Sequence, residues 1–218
     1  MTQLAFHLPP QPQMGREDFL EAPCNGLALS WIERWPDWPA QALVLCGPEG
    51  SGKTHLANIF AAKAGAGILS ADRFMESDVP ALEGKSVVIE DCKADLPERA
   101  LFHLLNLAKE SQGFVLLTAR QPQARWGVAL PDLRSRLLAL PLAELKAPDD
   151  ALLTALLAKL FADRQLRVGP EALSYILGRI ERSFAAAHRL VGQIDDKALA
   201  AKRPVTIPLI RDILELNA

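Results

Sequence analysis

The sequence predicts an α/β protein in which a parallel five-stranded sheet lies between helices and is followed by a small all-helical domain. Three observations predict it. The segment Gly47-Pro48-Glu49-Gly50-Ser51-Gly52-Lys53-Thr54 fits G-x-x-x-x-G-K-S/T and stands between an apolar run, Ala42 to Cys46, and a stretch of helical composition, 55–62. Short apolar runs recur after it and alternate with helical segments, as strands buried on both faces of a covered parallel sheet do. Beyond Ala147 the strand signals vanish and only helical patterns follow.

Composition bounds the rest. Half of the 218 residues are hydrophobic, enough for a sizeable core, and 24 Lys plus Arg against 26 Asp plus Glu give a formal charge of -2. That balance excludes a broad electropositive footprint for nucleic acid. Cys24, Cys46 and Cys92 are dispersed and lack C-x-x-C spacing, which predicts reduced thiols rather than disulfides or a zinc site. A basic region leading into a long apolar stretch is absent, and no run approaches about eighteen apolar residues. A cytoplasmic protein without a membrane segment is expected.

In chain order, residues 1–20 have the composition of a tail, with Pro9, Pro10, Pro12 and Gly15 against regular structure. Leu4, Phe6 and Leu8 would share one face of an extended segment, either as a strand or strap over the core or as a short docking motif. Residues 21–146 form the predicted nucleotide-binding core. A helix is expected over Phe19 to Arg34, with Asn25 near its start and the prolines of Trp35-Pro36-Asp37-Trp38-Pro39 ending it. Strands are expected at Ala42 to Cys46, Ile68 to Ser70, Ser86 to Asp91, Phe114 to Thr118 and Leu138 to Leu142. Pro97 opens a helix with Leu101, Leu104, Leu105 and Ala108 on one face, and Gly113 is placed to stop it. Residues 147–218 form the helical domain, with helices over Asp149 to Arg164, Pro170 to Arg179, Ser183 to Ala201 and Pro208 to Leu216.

The eight-residue loop is a phosphate cradle. Backbone N–H groups of Gly47, Pro48, Glu49, Gly50, Ser51 and Gly52 wrap the anion as far as each carries a donor, Lys53 reaches the β- and γ-phosphates, and the Thr54 hydroxyl helps to hold Mg²⁺. His55 belongs with the cofactor-binding residues by position. Glu90 and Asp91 end the strand expected beside the loop, where a carboxylate binds Mg²⁺ directly or through water and a following acid orients water. The usual order is Asp then Glu, so the reversed pair predicts weak hydrolysis. Thr118, at the end of the fourth strand, is placed to present a hydroxyl near a γ-phosphate. Leu130 to Leu137 puts Arg134 and Arg136 on a short helix, and a guanidinium offered across a subunit boundary stabilises charge on a transferring phosphoryl group. Spacing alone does not choose between them. Arg182 and Arg189 are further candidates to reach the phosphates from the helical domain. His7, His55, His103 and His188 have no partner at metal-ligand spacing and are expected to be structural or surface residues.

Taken together, the loop, Val87 to Asp91, Thr118, Leu130 to Leu137 and the helical C-terminal domain resemble the AAA+ module of the replication initiator DnaA, and more specifically the short DnaA-related proteins of the Hda family. The resemblance covers nearly the whole length and includes the ending Arg203-Pro204-Val205-Thr206-Ile207-Pro208-Leu209-Ile210-Arg211-Asp212-Ile213-Leu214. It implies an AAA+ core with a helical lid, bound ADP or ATP with Mg²⁺, and action on DnaA. In that family an N-terminal motif docks into the DNA polymerase sliding clamp, its β subunit. Gln3-Leu4-Ala5-Phe6-His7-Leu8 looks like that motif, with Gln3 hydrogen bonding and Leu4, Phe6 and Leu8 filling pockets. Matching Ser135-Arg136-Leu137 makes Arg136 the arginine finger in trans. The family's sensor-2 arginine falls on Ala185, between Arg182 and Arg189, which again implies a poor ATPase.

The sequence supports two functions. The first is a clamp-tethered AAA+ adaptor that promotes hydrolysis of DnaA-bound ATP and so restrains replication initiation. The second is a DNA-acting ATPase such as a helicase loader or transposition helper. DnaA continues into a helix-turn-helix domain that this sequence stops before, so direct DNA binding is expected to be weak or absent. A homo-oligomer is compatible with an AAA+ module, whose nucleotide often lies at a subunit boundary.

Overall fold

The computed structural model describes residues 14–201 and 203–215. Five parallel strands, β1 (Ala42–Cys46), β2 (Gly67–Ser70), β3 (Val87–Cys92), β4 (Val115–Ala119) and β5 (Leu142–Glu144), form one sheet in the order β2-β3-β4-β1-β5. Helices α1 (Gly26–Glu33), α2 (Lys53–Ala64), α3 (Glu98–Ser111) and α4 (Pro131–Ala139) cover it. Helices α5 (Asp150–Asp163), α6 (Pro170–Leu177), α7 (Phe184–Ala201) and α8 (Ile207–Glu215) follow the last strand.

Alternation along the strands divides the core into two layers, because successive side chains of a strand point to opposite faces. Val44, Val87, Ile89, Val115 and Leu117 pack against Leu101, Leu104 and Leu105 of α3 and against Leu133 and Leu137 of α4. Leu43, Leu45, Val88 and Leu116 turn the other way, onto Leu29 and Ile32 of α1, Leu56 and Phe60 of α2, and Trp38. A third core lies within the C-terminal helices, where Leu153, Leu157, Phe161, Ile176, Val191, Ile194 and Ile210 close on one another. Each of these fully buried aliphatic and aromatic side chains contributes about 1.5–3 kcal/mol over its exposed form.

Two predicted elements differ from the structure. The run Leu138 to Leu142 is not a strand: Leu138 and Ala139 end α4, and β5 begins at Leu142. Pro131 at the first turn starts α4, and Leu133 and Leu137, one turn apart, are its buried face. The expected helix over Phe19 to Arg34 is restricted to Gly26–Glu33. Asn25 is spent on the segment before it, since its Oδ1 accepts from Ala22 N at 2.8 Å and its Nδ2 donates to Leu20 O at 2.8 Å. Arg16–Asp18 form a short 3-10 turn, and Phe19 beyond it is buried. Residues 14–20, assigned to the tail from composition, are thus a strap packed on the core. Gln3 to Leu8 lies outside the described residues.

Candidate nucleotide site and arginine helix

The phosphate loop leaves the C-terminal end of β1, and its glycines each answer a separate constraint. Gly47 donates its N–H to Ala119 O at 3.1 Å, and a Cβ there would lie 2.8 Å from Leu145 O. Gly50 (φ 69°) and Gly52 (φ 96°) are in the left-handed region that residues with a Cβ rarely adopt. Lys53 opens α2 and is buried, its Nζ donating to Gly47 O at 2.9 Å and Pro48 O at 2.7 Å. Burial holds its pKa below the ordinary lysine value. Asp91 works against that shift and Arg120 adds to it.

The donor set fits a phosphate chain. Ser51 Oγ is fully buried without a hydrogen-bond partner, an arrangement that costs free energy unless something accepts or donates there. The positive end of the 12-residue α2 and the ammonium of Lys53 face the same loop. Thr54, exposed on the first turn of α2, has the hydroxyl that a magnesium ion would take.

At the end of β3 the expected acidic pair is split. The register slips between Ile89 and Cys92, and Asp91 adopts φ 59° in this irregularity. Its backbone N–H donates to Thr118 Oγ1 at 3.1 Å, so Thr118, buried at the end of β4, is tied to the acid rather than standing apart. Asp91 is among the charges acting on Lys53. Glu90 is half-buried, and its carbonyl accepts from Ala71 N at 2.8 Å. Behind the pair, burial first and Asp91 second push the Cys92 thiol up to about 12, which keeps it inert.

Several contacts around the loop are not legible in the sequence. Arg120, one residue past β4, makes an ion pair with Glu49 of the loop at 2.8 Å. His55 Nε2 meets Gly15 O at 2.7 Å while its ring stands edge-on to Phe19, centroids 5.2 Å apart. Lys159 of α5 donates to Asp18 O at 2.7 Å and pairs with Asp18 Oδ1 at 3.2 Å. The strap therefore joins the helix that follows the phosphate loop to the C-terminal helices. The available signal was small: a Thr-x-Arg step at the end of a buried strand, and a lone Phe beside polar neighbours.

The C-terminal helices also touch the loop directly. A Cβ on Gly50 would lie 2.6 Å from Ala185 N and 3.1 Å from Phe184 C. The first turn of the 18-residue α7, with its positive end, is thereby seated on the loop. Ala185, the position matched to a sensor arginine, contributes backbone and no cation. Arg182 is paired with Asp150 at 2.8 Å, and Arg189 is an exposed residue of α7.

Arg134 and Arg136 are both exposed on α4. The Arg136 guanidinium lies over the Phe102 ring of α3, 5.0 Å from its centroid. The entry to α4 is fixed by Glu98, whose two carboxylate oxygens accept from Ala129 N and Leu130 N, each at 2.8 Å.

Residues 149–214 match the family described as Hda, lid domain. Domain III of the Thermotoga maritima replication initiation protein DnaA superposes with a TM-score of 0.80 at 16% identity, covering 94% of this chain and 97% of that one. The chain has the fold of DnaA domain III, and its C-terminal helices match the Hda lid. AMPPCP-bound DnaA from Aquifex aeolicus is similar over 87% of this chain and 67% of its own, with a TM-score of 0.69 at 18% identity. An uncharacterised protein of Haemophilus influenzae is 27% identical over 184 residues, 78% of this chain and 80% of that protein. The lid match covers α5–α8, the helices that strap and loop both contact, and none of the helices among the described residues is long and apolar enough to cross a membrane.

Proposed function

We propose that this protein is a nucleotide-gated AAA+ adaptor that docks on the DNA polymerase sliding clamp through Gln3, Leu4, Phe6 and Leu8 and promotes hydrolysis of ATP held by DnaA, restraining replication initiation. The observation that carries the reading is the setting of Arg136. It is exposed on a short helix anchored by Glu98 and lies over Phe102. An arginine so held is suited to a phosphate on a neighbouring molecule, where a guanidinium stabilises the charge of the transferring group. The Hda lid and the DnaA-like fold support DnaA as that neighbour.

In this reading the protein's own loop binds ADP or ATP with Gly47, Pro48, Glu49, Gly50, Ser51, Gly52, Lys53, Thr54 and His55. Thr54 and Asp91 serve Mg²⁺, with Glu90 behind them. Thr118 holds Asp91 by its backbone. Bound nucleotide supplies a negative charge that Lys53 and the ends of α2 and α7 share, which fixes the lid against the core. Weak hydrolysis by the protein itself fits the lack of an arginine at position 185.

The test is a reconstituted turnover of DnaA-bound ATP with clamp, DNA and this protein, each omitted in turn. Arg136→Ala should lower stimulation by about a hundredfold or more, since such arginines are worth about 10³–10⁵ in rate. Gln3→Ala with Phe6→Ala should abolish clamp pull-down while leaving nucleotide binding intact. Full stimulation by the Arg136 variant would refute the assignment. Tight, steeply salt-dependent binding to single-stranded DNA by the protein alone would favour a DNA-acting ATPase instead.

A further inference from the structure

We propose that Arg120 is a phosphate-binding residue of this protein's own nucleotide site and that Glu49, inside the loop, holds it in reserve. The inference rests on the nucleotide-binding half of the function proposed above, and on neither the clamp nor DnaA. Arg120 is the first residue beyond β4, beside the strand that delivers the loop: Cys46 and Ala119 are register partners, and Gly47 N donates to Ala119 O at 3.1 Å. Its Nη1 lies 2.8 Å from Glu49 Oε2, both side chains two-thirds exposed. The positions matched from the sequence to a lid cation are filled otherwise, with Ala185 against Gly50 and Arg182 on Asp150. Arg120 is thus an arginine held at the loop by Glu49, and its influence on Lys53 accords with that closeness.

The chemistry follows from competition. A carboxylate on the rim of a phosphate cradle repels the polyphosphate and occupies the guanidinium that would bind it. Arginine binds carboxylate and phosphate with the same planar fork, so the exchange from Glu49 to phosphate needs only a side-chain rotation. An exposed pair of this kind is weak enough to yield. Glu49 thus acts against nucleotide through Arg120, while Lys53 acts for it.

Titration calorimetry of the full chain with MgATP and with MgADP tests this, using Arg120→Ala, Glu49→Gln, the double variant, and Lys53→Ala as reference. Arg120→Ala should weaken MgATP binding by about tenfold or more, as for a hydrogen bond to a charged group. Glu49→Gln should tighten it by about two- to fivefold, the worth of an exposed pair. In the double variant the gain from Glu49→Gln should shrink or vanish, which a purely structural role for either residue would not produce. Both residues are exposed, so the fold is retained. Unchanged affinity in Arg120→Ala, or weaker binding in Glu49→Gln, would overturn the proposal provided Lys53→Ala abolishes binding. If Lys53→Ala binds as the parent does, the nucleotide reading itself fails.

Discussion

Replacing Gly50 by alanine should loosen the lid without unfolding the core. The new Cβ would meet Ala185 N at 2.6 Å, about 0.8 Å short of ordinary contact at 3.4 Å, and the obstacle is backbone that cannot rotate aside. Two costs add. The left-handed φ of 69° costs an alanine about 1–2 kcal/mol, and overpacking against α7 costs about 1–3 kcal/mol more unless the helix recedes. Gly127→Ala carries the first cost alone, because Gly127 has nearly the same φ, 68°, with nothing within 4 Å of its Cβ, so the difference between the two variants is the second. Hydrogen exchange of the first turn of α7 is the assay, and its amides should open about 5- to 150-fold more often in Gly50→Ala than in Gly127→Ala. Fluorescence separates the domains, since Trp31, Trp35, Trp38 and Trp126 are in the core and Tyr175, the chain's single tyrosine, is in α6. Equal exchange of α7 in the two variants would refute the contact between loop and lid.

Lys159→Met should cost about 1 kcal/mol and raise exchange in α5 more than in the sheet, because a half-sheltered pair and a hydrogen bond to Asp18 O are lost. Glu98→Ala leaves two backbone N–H groups without their acceptor and should destabilise by about 1–3 kcal/mol. It should also lower stimulation of DnaA hydrolysis while MgADP affinity holds, with partial recovery in Glu98→Gln. Nucleotide affinity should fall as pH rises through a range below the ordinary lysine value. Burial depresses the pKa of Lys53, so the free protein loses that proton early, whereas a bound phosphate retains it. The sign for stability is opposite: charged Lys53 opposes folding at neutral pH, and the penalty fades as pH climbs through its lowered pKa. Proton uptake on MgADP binding, measured in buffers of different ionisation enthalpy, checks the first sign, and the denaturation midpoint as a function of pH checks the second.

The sheet was legible because buried strands in a parallel sheet are apolar at every position, and β1 and β4 are buried from end to end. The loop was legible because its glycines answer to backbone geometry, which leaves little freedom of spacing. Leu138 to Leu142 misled because a run of five apolar residues satisfies a strand and the last turn of a helix alike, and periodicity cannot separate them at that length. The strap was hidden for another reason. Asp18 and Lys159 are 141 residues apart, and a single Phe among charged residues carries no period. Glu49 and Arg120 were hidden likewise: each is an ordinary surface charge until the fold brings β4 beside the loop.

The strap has a mechanical consequence. Within a few residues it is held by His55 just past the phosphate loop, by Glu33 at the end of α1 through Arg16, and by Lys159 in the lid. A load applied to the chain from its N-terminal side is therefore not absorbed at the surface. It divides between the core, at His55 and Glu33, and the lid, at Lys159.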